Sequence, residues 1–358
     1  GTAVLGAWAA GIVALGISDW AGAALAPSTL VVVAVGRGVL GARLVTVFGT
    51  LTEAALSVAA GASALWSLEL WNQVGARQGA TFATATFAVL ALAYVLHTLL
   101  TESPTSAALA GGSVLGAWAA SIVALGVTDW AGAALAPTAL VVVAVRKGML
   151  GERLKSAARP SIGVALHVAA GASALWTSQL LTRVGPREGA FFASATFAFL
   201  ALAYLLETAR SQDQVDGALG LLAAGLAYLA VLYRPELGAW RGVAFVPAIA
   251  VFVVLASRPH LFRPIGPALA PAAELLTHVG ALVAIMLAAE NAEGWPMTAA
   301  LAALTLVYAF AALRPERRWL VWLPALGVSA TVLQASRPLG LDGAAIALEL
   351  VVLAYGYL

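Results

Sequence analysis

The 358-residue chain is 62% hydrophobic and only 10% charged, with a mean hydropathy of +0.94. A soluble protein is about 45–50% apolar and about 25% charged, and 19 basic plus 17 acidic side chains cannot cover the surface of one this long. A net charge of +2 gives no argument for a nucleic-acid partner, and the absence of Cys removes disulfides, thiolate metal sites and a cysteine nucleophile together. The chain reads as an all-α, polytopic transmembrane helical bundle.

A bilayer core about 30 Å thick takes about 20 apolar residues per helix, so this length accommodates about 14 spans. In chain order, the apolar runs predict helices over 2–18, 24–40, 48–71, 80–100, 113–128, 132–149, 160–181, 190–209, 217–233, 239–257, 267–289, 296–313, 319–336 and 342–358. Pro27, Pro137, Pro247 and Pro324 fall near predicted helix starts, where a missing N–H costs little. Arg-Pro pairs follow predicted ends, because the residue before proline is pushed out of the α region. No signal-peptide pattern opens the chain. Gly1 and Leu358 both fall in apolar runs, which reads as a processed chain or the ordered part of a longer one.

Internal repetition is the strongest signal. Residues 4–100 align without a gap on 114–210, an offset of 110, with roughly two-thirds of positions identical. Val4 to Ala10 returns at Val114 to Ala120, Asp19 to Gly22 at Asp129 to Gly132, and Ala59 to Trp66 at Ala169 to Trp176. A diverged third copy keeps the offset: Pro27 and Pro137 lead to Pro247, Trp20 and Trp130 to Trp240, and Trp8 and Trp118 to Tyr228. With a one-residue shift, His167 finds His278. The chain therefore divides into a first repeat over 1–112, a second over 113–216 and a diverged region over 217–358. Arg234-Pro235-Glu236 echoes Arg314-Pro315-Glu316 within the last of these.

Orientation follows from basic residues. Loops after even-numbered predicted helices carry 13 Lys and Arg, and those after odd-numbered ones the other six. Positive charge stays inside, so both termini are expected in the cytoplasm, and a four-helix unit that returns to its starting side makes the copies parallel repeats.

The Ala/Leu-dominated helices, the Leu-Ala-Tyr endings at Leu92-Ala93-Tyr94 and Leu202-Ala203-Tyr204, and the loop Arg314-Pro315-Glu316-Arg317-Arg318-Trp319 resemble large, repeat-built polytopic bacterial membrane proteins of uncharacterised function. The resemblance implies a bacterial inner (cytoplasmic) membrane and carries no activity or functional residue with it.

Ionisable side chains in hydrocarbon cost about 2.5–3.5 kcal/mol on insertion scales, so each one inside a span marks a candidate site. Glu53 aligns with Gly163 and, after the shift, with Glu274; Ser57 aligns with His167 and His278. Positions i and i+4 share a helical face, so Glu274 and His278 can touch. Such a pair fits a proton relay, a cation site or axial ligation of a pigment or haem. It fits equally a hydrogen-bonded tie between helices, worth about 0.6–2 kcal/mol. One Glu and one His fall short of a zinc site, and no cofactor is assigned. Glu349 sits inside the last predicted span without a sequence-adjacent partner. Asp19 and Asp129 read as caps of following helices, and His97, exchanged for Glu207 in the second copy, as a side chain that snorkels to the interface.

No phosphate loop, metalloprotease motif or nucleophile elbow occurs, and the loops are short, so the chain is not expected to be an enzyme. The expected partners are membrane lipids and other membrane protein chains. Two functions compete: a structural or accessory module that scaffolds a larger assembly or forms part of a longer chain, and a proton-coupled transporter or flippase of a lipid-like or apolar substrate.

Overall fold

The computed structural model describes residues 10, 14, 21–36, 52–159, 162–233, 235–289, 294–313, 320–340, 343 and 351. Among the described residues there is no strand, and nine helices are long and apolar enough to cross a membrane. The chain forms two compact units, Gly1–Gln179 and Leu180–Leu358.

In the first unit, α1 (Ala21–Leu25) and α2 (Pro27–Gly36) pack on α3 (Thr52–Val74) and α4 (Ala76–Thr101). α4 also lies along α5 (Pro104–Ala124). α6 (Ala131–Leu135), α7 (Pro137–Arg146) and α8 (Glu152–Ala158) follow. The cores are small: Ala26, Val33, Leu56, Leu90 and Tyr94 in one cluster, and Ile122, Ala131 and Leu135 in another. α9 (Ile162–Ser211) is two helices joined at Gly185, and from Leu180 onward it belongs to the second unit.

The second unit contains α10 (Gln214–Leu232), α11 (Arg241–Ser257), α12 (Gly266–Ala289), α13 (Trp295–Ala312) and α14 (Trp322–Ser336). α11 packs along α12 and crosses α13, and α13 lies against α14. Leu232, Phe245, Ile249, Ala284, Leu304 and Tyr308 form its main core, and Leu221, Phe252, Leu255, Leu269 and Ala273 a second.

Local chemistry explains where the helices turn. Gly75 (φ 89°) and Gly185 (φ 81°) adopt a backbone that disfavours any side chain, and each breaks one helix from the next within a single residue. Glu102 and Gln212 take left-handed φ of 55° and 56°. The next residue in each case caps the following helix: the Ser103 side chain accepts from Ser106 N, and the Asp213 side chain from Val215 N. Helix α5 accordingly starts at Pro104, nine residues ahead of the predicted 113, because capping and an N1 proline outweigh the polar Thr105 and Ser106.

The helices approach closely where side chains are small. A Cβ on Gly22 would collide with Ser67 Oγ and the Ser63 carbonyl, and one on Gly132 with Thr177 Oγ1 and the Ser173 carbonyl. A Cβ on Gly242 would meet the Ala284 carbonyl and Ala288. Several hydroxyls inside the spans return to their own helix. Ser63 donates to Ala59 O and Ser173 to Ala169 O, both at 2.8 Å; Thr98 donates to Tyr94 O at 2.7 Å and Thr208 to Tyr204 O at 2.8 Å. No water is needed to satisfy them. The outer surface is apolar, with Leu65, Leu175, Leu282 and Met286 each more than 60% exposed, a surface suited to acyl chains.

Three sequence expectations change here. Pro27 and Pro137 do head helices, but each continues a shorter helix across one residue, so Pro137 sits midway along the span Thr128–Arg146. Pro247 lies inside α11. Asp129 belongs to a 3₁₀ turn, Thr128–Trp130, and α6 has Trp130 at its N-cap with no side-chain cap. Asp19 lies outside the described residues.

Candidate functional site

The predicted polar site is met in part by described residues. Glu53 lies in α3 with its side chain outside the description, and Glu349 lies outside the described residues altogether. His167 in α9 is exposed, two turns ahead of the Gly132 crossing residues Ser173 and Thr177. Gly163, at the position equivalent to Glu53, leaves the second copy without the acid at i−4.

In the second unit, Glu274 and His278 are both half-buried on α12. His278 Nδ1 shares a hydrogen bond of 2.9 Å with Tyr308 Oη from α13, and the two rings stack with centroids 5.7 Å apart at 17°. Tyr308 is buried in the main core of the unit. The bond ties the α12–α13 contact with the two groups that could otherwise be left polar in hydrocarbon. Tyr308 was visible in the sequence as a lone phenol in an apolar run; a buried phenol needs a partner, and that was the signal for it. Among the described residues, no group of three or more His, Asp or Glu is placed to hold a metal ion.

A second polar location was missed. At the corner between α4 and α5, His97 and Ser106 are both buried, and His97 Nδ1 shares a hydrogen bond of 2.8 Å with Ser106 Oγ. Thr101 Oγ1 donates to the His97 carbonyl at 2.7 Å. The equivalent positions 110 residues on, at the corner between α9 and α10, hold Glu207 and Asp216. Glu207 is completely buried, Asp216 is 7% exposed, and Asp216 is an electrostatic neighbour of Tyr204. The snorkelling expected of His97 and Glu207 is therefore replaced by burial: each sits on the inner face of its helix, one position from a threonine (Thr98, Thr208) that is itself buried. The signal was the alignment, which places polar residues at both sites in both copies while changing their chemistry.

Chemically, the two corners differ. The His–Ser pair is a hydrogen-bonded tie. The second corner places two buried acids at those positions, and burial disfavours the charged form of a carboxyl.

No protein-family model matches the chain, and neither a curated protein nor a solved structure shows significant similarity to it.

Proposed function

We propose that the chain is a structural or accessory membrane module: tandem, parallel four-helix repeats with about 14 spans, scaffolding a larger assembly or forming part of a longer chain. In this reading it lies in a bacterial inner membrane with both termini cytoplasmic, bound by lipids and by other membrane protein chains, and it performs no catalysis. The observation that carries it is the recurrence of one close-packed crossing: Gly22 on Ser63 and Ser67, Gly132 on Ser173 and Thr177, and Gly242 on Ala284 and Ala288. The glycines are spaced by 110 residues. Their partners follow at the same spacing and, in the third copy, at the one-residue shift that also relates His167 to His278. Copying a unit that packs mainly on itself multiplies scaffold without requiring a new site.

Extraction in mild detergent tests the reading. A species well above the 36.3 kDa of the single chain, carrying other membrane proteins, is expected. Glu349→Gln is expected to weaken that association, since an acid in the last span expected from the sequence would need a protein partner. A stable monomer that moves a lipid-like substrate in proteoliposomes overturns the scaffold.

One observation favours the second reading, proton-coupled transport or flipping of a lipid-like substrate: the buried Glu207 and Asp216 occupy one corner. Under that reading Glu207→Gln abolishes proton-driven flux while leaving the amount of folded protein unchanged; under the scaffold reading there is no flux to lose.

A further inference from the structure

Two proline-containing spans each receive a side-chain hydrogen bond on a backbone carbonyl from the preceding helix. In Thr128–Arg146, Pro137 offers no N–H. Ala136 N donates to Gly132 O at 3.0 Å before the proline, and Ala139 N donates to Ala136 O at 3.1 Å after it. These two bonds bracket a break in the i→i−4 ladder, and the carbonyls of the intervening turn depend on other donors. Thr138 Oγ1 donates to Leu135 O at 2.6 Å. Trp118 Nε1, reaching across from α5, donates to Ala134 O at 2.7 Å.

The arrangement returns in the second unit. Tyr228 Oη on α10 donates to Ala244 O at 2.9 Å, and Ala244 again lies three residues ahead of a proline, Pro247 inside α11. Donor, acceptor and proline all keep the 110-residue spacing: Trp118 to Tyr228, Ala134 to Ala244, Pro137 to Pro247. Apolar burial does not explain the pairing, because both rings are substantially exposed, Trp118 by 49% and Tyr228 by 36%. Indole and phenol differ in shape. What they have in common here is a single hydrogen-bond donor at the rim of an apolar ring. A proline bend in an apolar medium leaves carbonyls that only protein donors can satisfy.

We propose that Trp118 and Tyr228 are kink-holding donors: each ties a proline-bent span to the preceding helix and fixes its bend, and loss of the donor turns the bend into a hinge. Backbone hydrogen exchange on the full chain in lipid nanodiscs tests it. Trp118→Phe keeps a ring and deletes the donor, and is expected to speed exchange at residues 138–141 by roughly 3- to 10-fold. Tyr228→Phe is expected to do the same at residues 248–251. Pro137→Ala restores the missing N–H, so in that background Trp118→Phe is expected to have little further effect. Unchanged exchange in both Phe variants, or an equal effect with and without Pro137, overturns the proposal. Should Trp118→Phe yield no folded protein, Tyr228→Phe decides with Tyr228→Trp as the donor-keeping control. Faster exchange in the first alone supports the kink-holding role, and equal exchange in the two overturns it.

Discussion

The α4–α5 corner and the α9–α10 corner have the same backbone and opposite chemistry. Both follow a buried threonine bonded to the carbonyl four residues back, both turn through a left-handed residue (Glu102, Gln212), and both restart under a side-chain cap (Ser103, Asp213). Into that shared frame the first corner places His97 and Ser106 and the second Glu207 and Asp216. The turn is specified by the residues that cap and reverse the chain, and the two inward positions are left free to change. A duplicated scaffold can thus carry a His–Ser tie in one copy and two acids in another without altering the turn.

The largest effect tests whether the shared frame rests on shared packing. Gly132→Leu forces a side chain into Ser173 and Thr177, where the obstacle includes backbone, and is expected to cost about 3 kcal/mol or to prevent folding. Gly22→Leu should match it. Gly171→Leu, on an open helix face with nothing near its Cβ, should cost under about 0.5 kcal/mol. Reversible unfolding in mixed micelles measures all three; tolerance at Gly22 with collapse at Gly132 would show that the copies pack differently.

Next come the corners themselves. His97→Ala leaves the buried Ser106 hydroxyl to find another partner and is expected to destabilise by about 1–3 kcal/mol. Transplanting the first corner into the second, with Glu207→His and Asp216→Ser together, replaces two acids by a satisfied pair and is expected to stabilise by about 1 kcal/mol. A loss of stability in the transplant means that the acids are held by interactions a His–Ser pair cannot make. The smallest effect belongs to Tyr308→Phe, which deletes one interhelical bond to His278 while keeping the ring stack, and should cost about 0.6 kcal/mol by the same unfolding measurement.

The nine membrane-length helices among the described residues were legible because hydrocarbon demands some 20 apolar residues in a row, and composition answers that demand directly. Expected helices such as 267–289 and 296–313 differ by one residue from Gly266–Ala289 and Trp295–Ala312. Less was legible where a tertiary partner decides. The burial of His97 and Glu207 depends on which face of α4 or α9 turns inward, and a helix end looks interfacial until its neighbour is known. Pro137 reads as a helix start because the 3₁₀ turn Thr128–Trp130 and the single turn of α6 before it have no periodicity of their own. Of the polar residues proposed from spacing, His278 acquires its partner from α13, thirty residues away, which i,i+4 arithmetic does not reach.

Gly75 has a bearing on how the protein is made. α3 and α4 meet at this one residue, pack on each other, and share a hydrogen bond between Ser67 Oγ and Thr86 Oγ1 at 2.7 Å. A one-residue reversal leaves no slack chain between the two helices, so α3 is expected to follow α4 rather than act apart from it. The pair should enter the membrane as one hairpin in one step. Inserting a flexible Gly-Ser segment of about ten residues after Gly75 would separate the two events, and the first half would then be expected to dwell in the insertion machinery as an isolated helix.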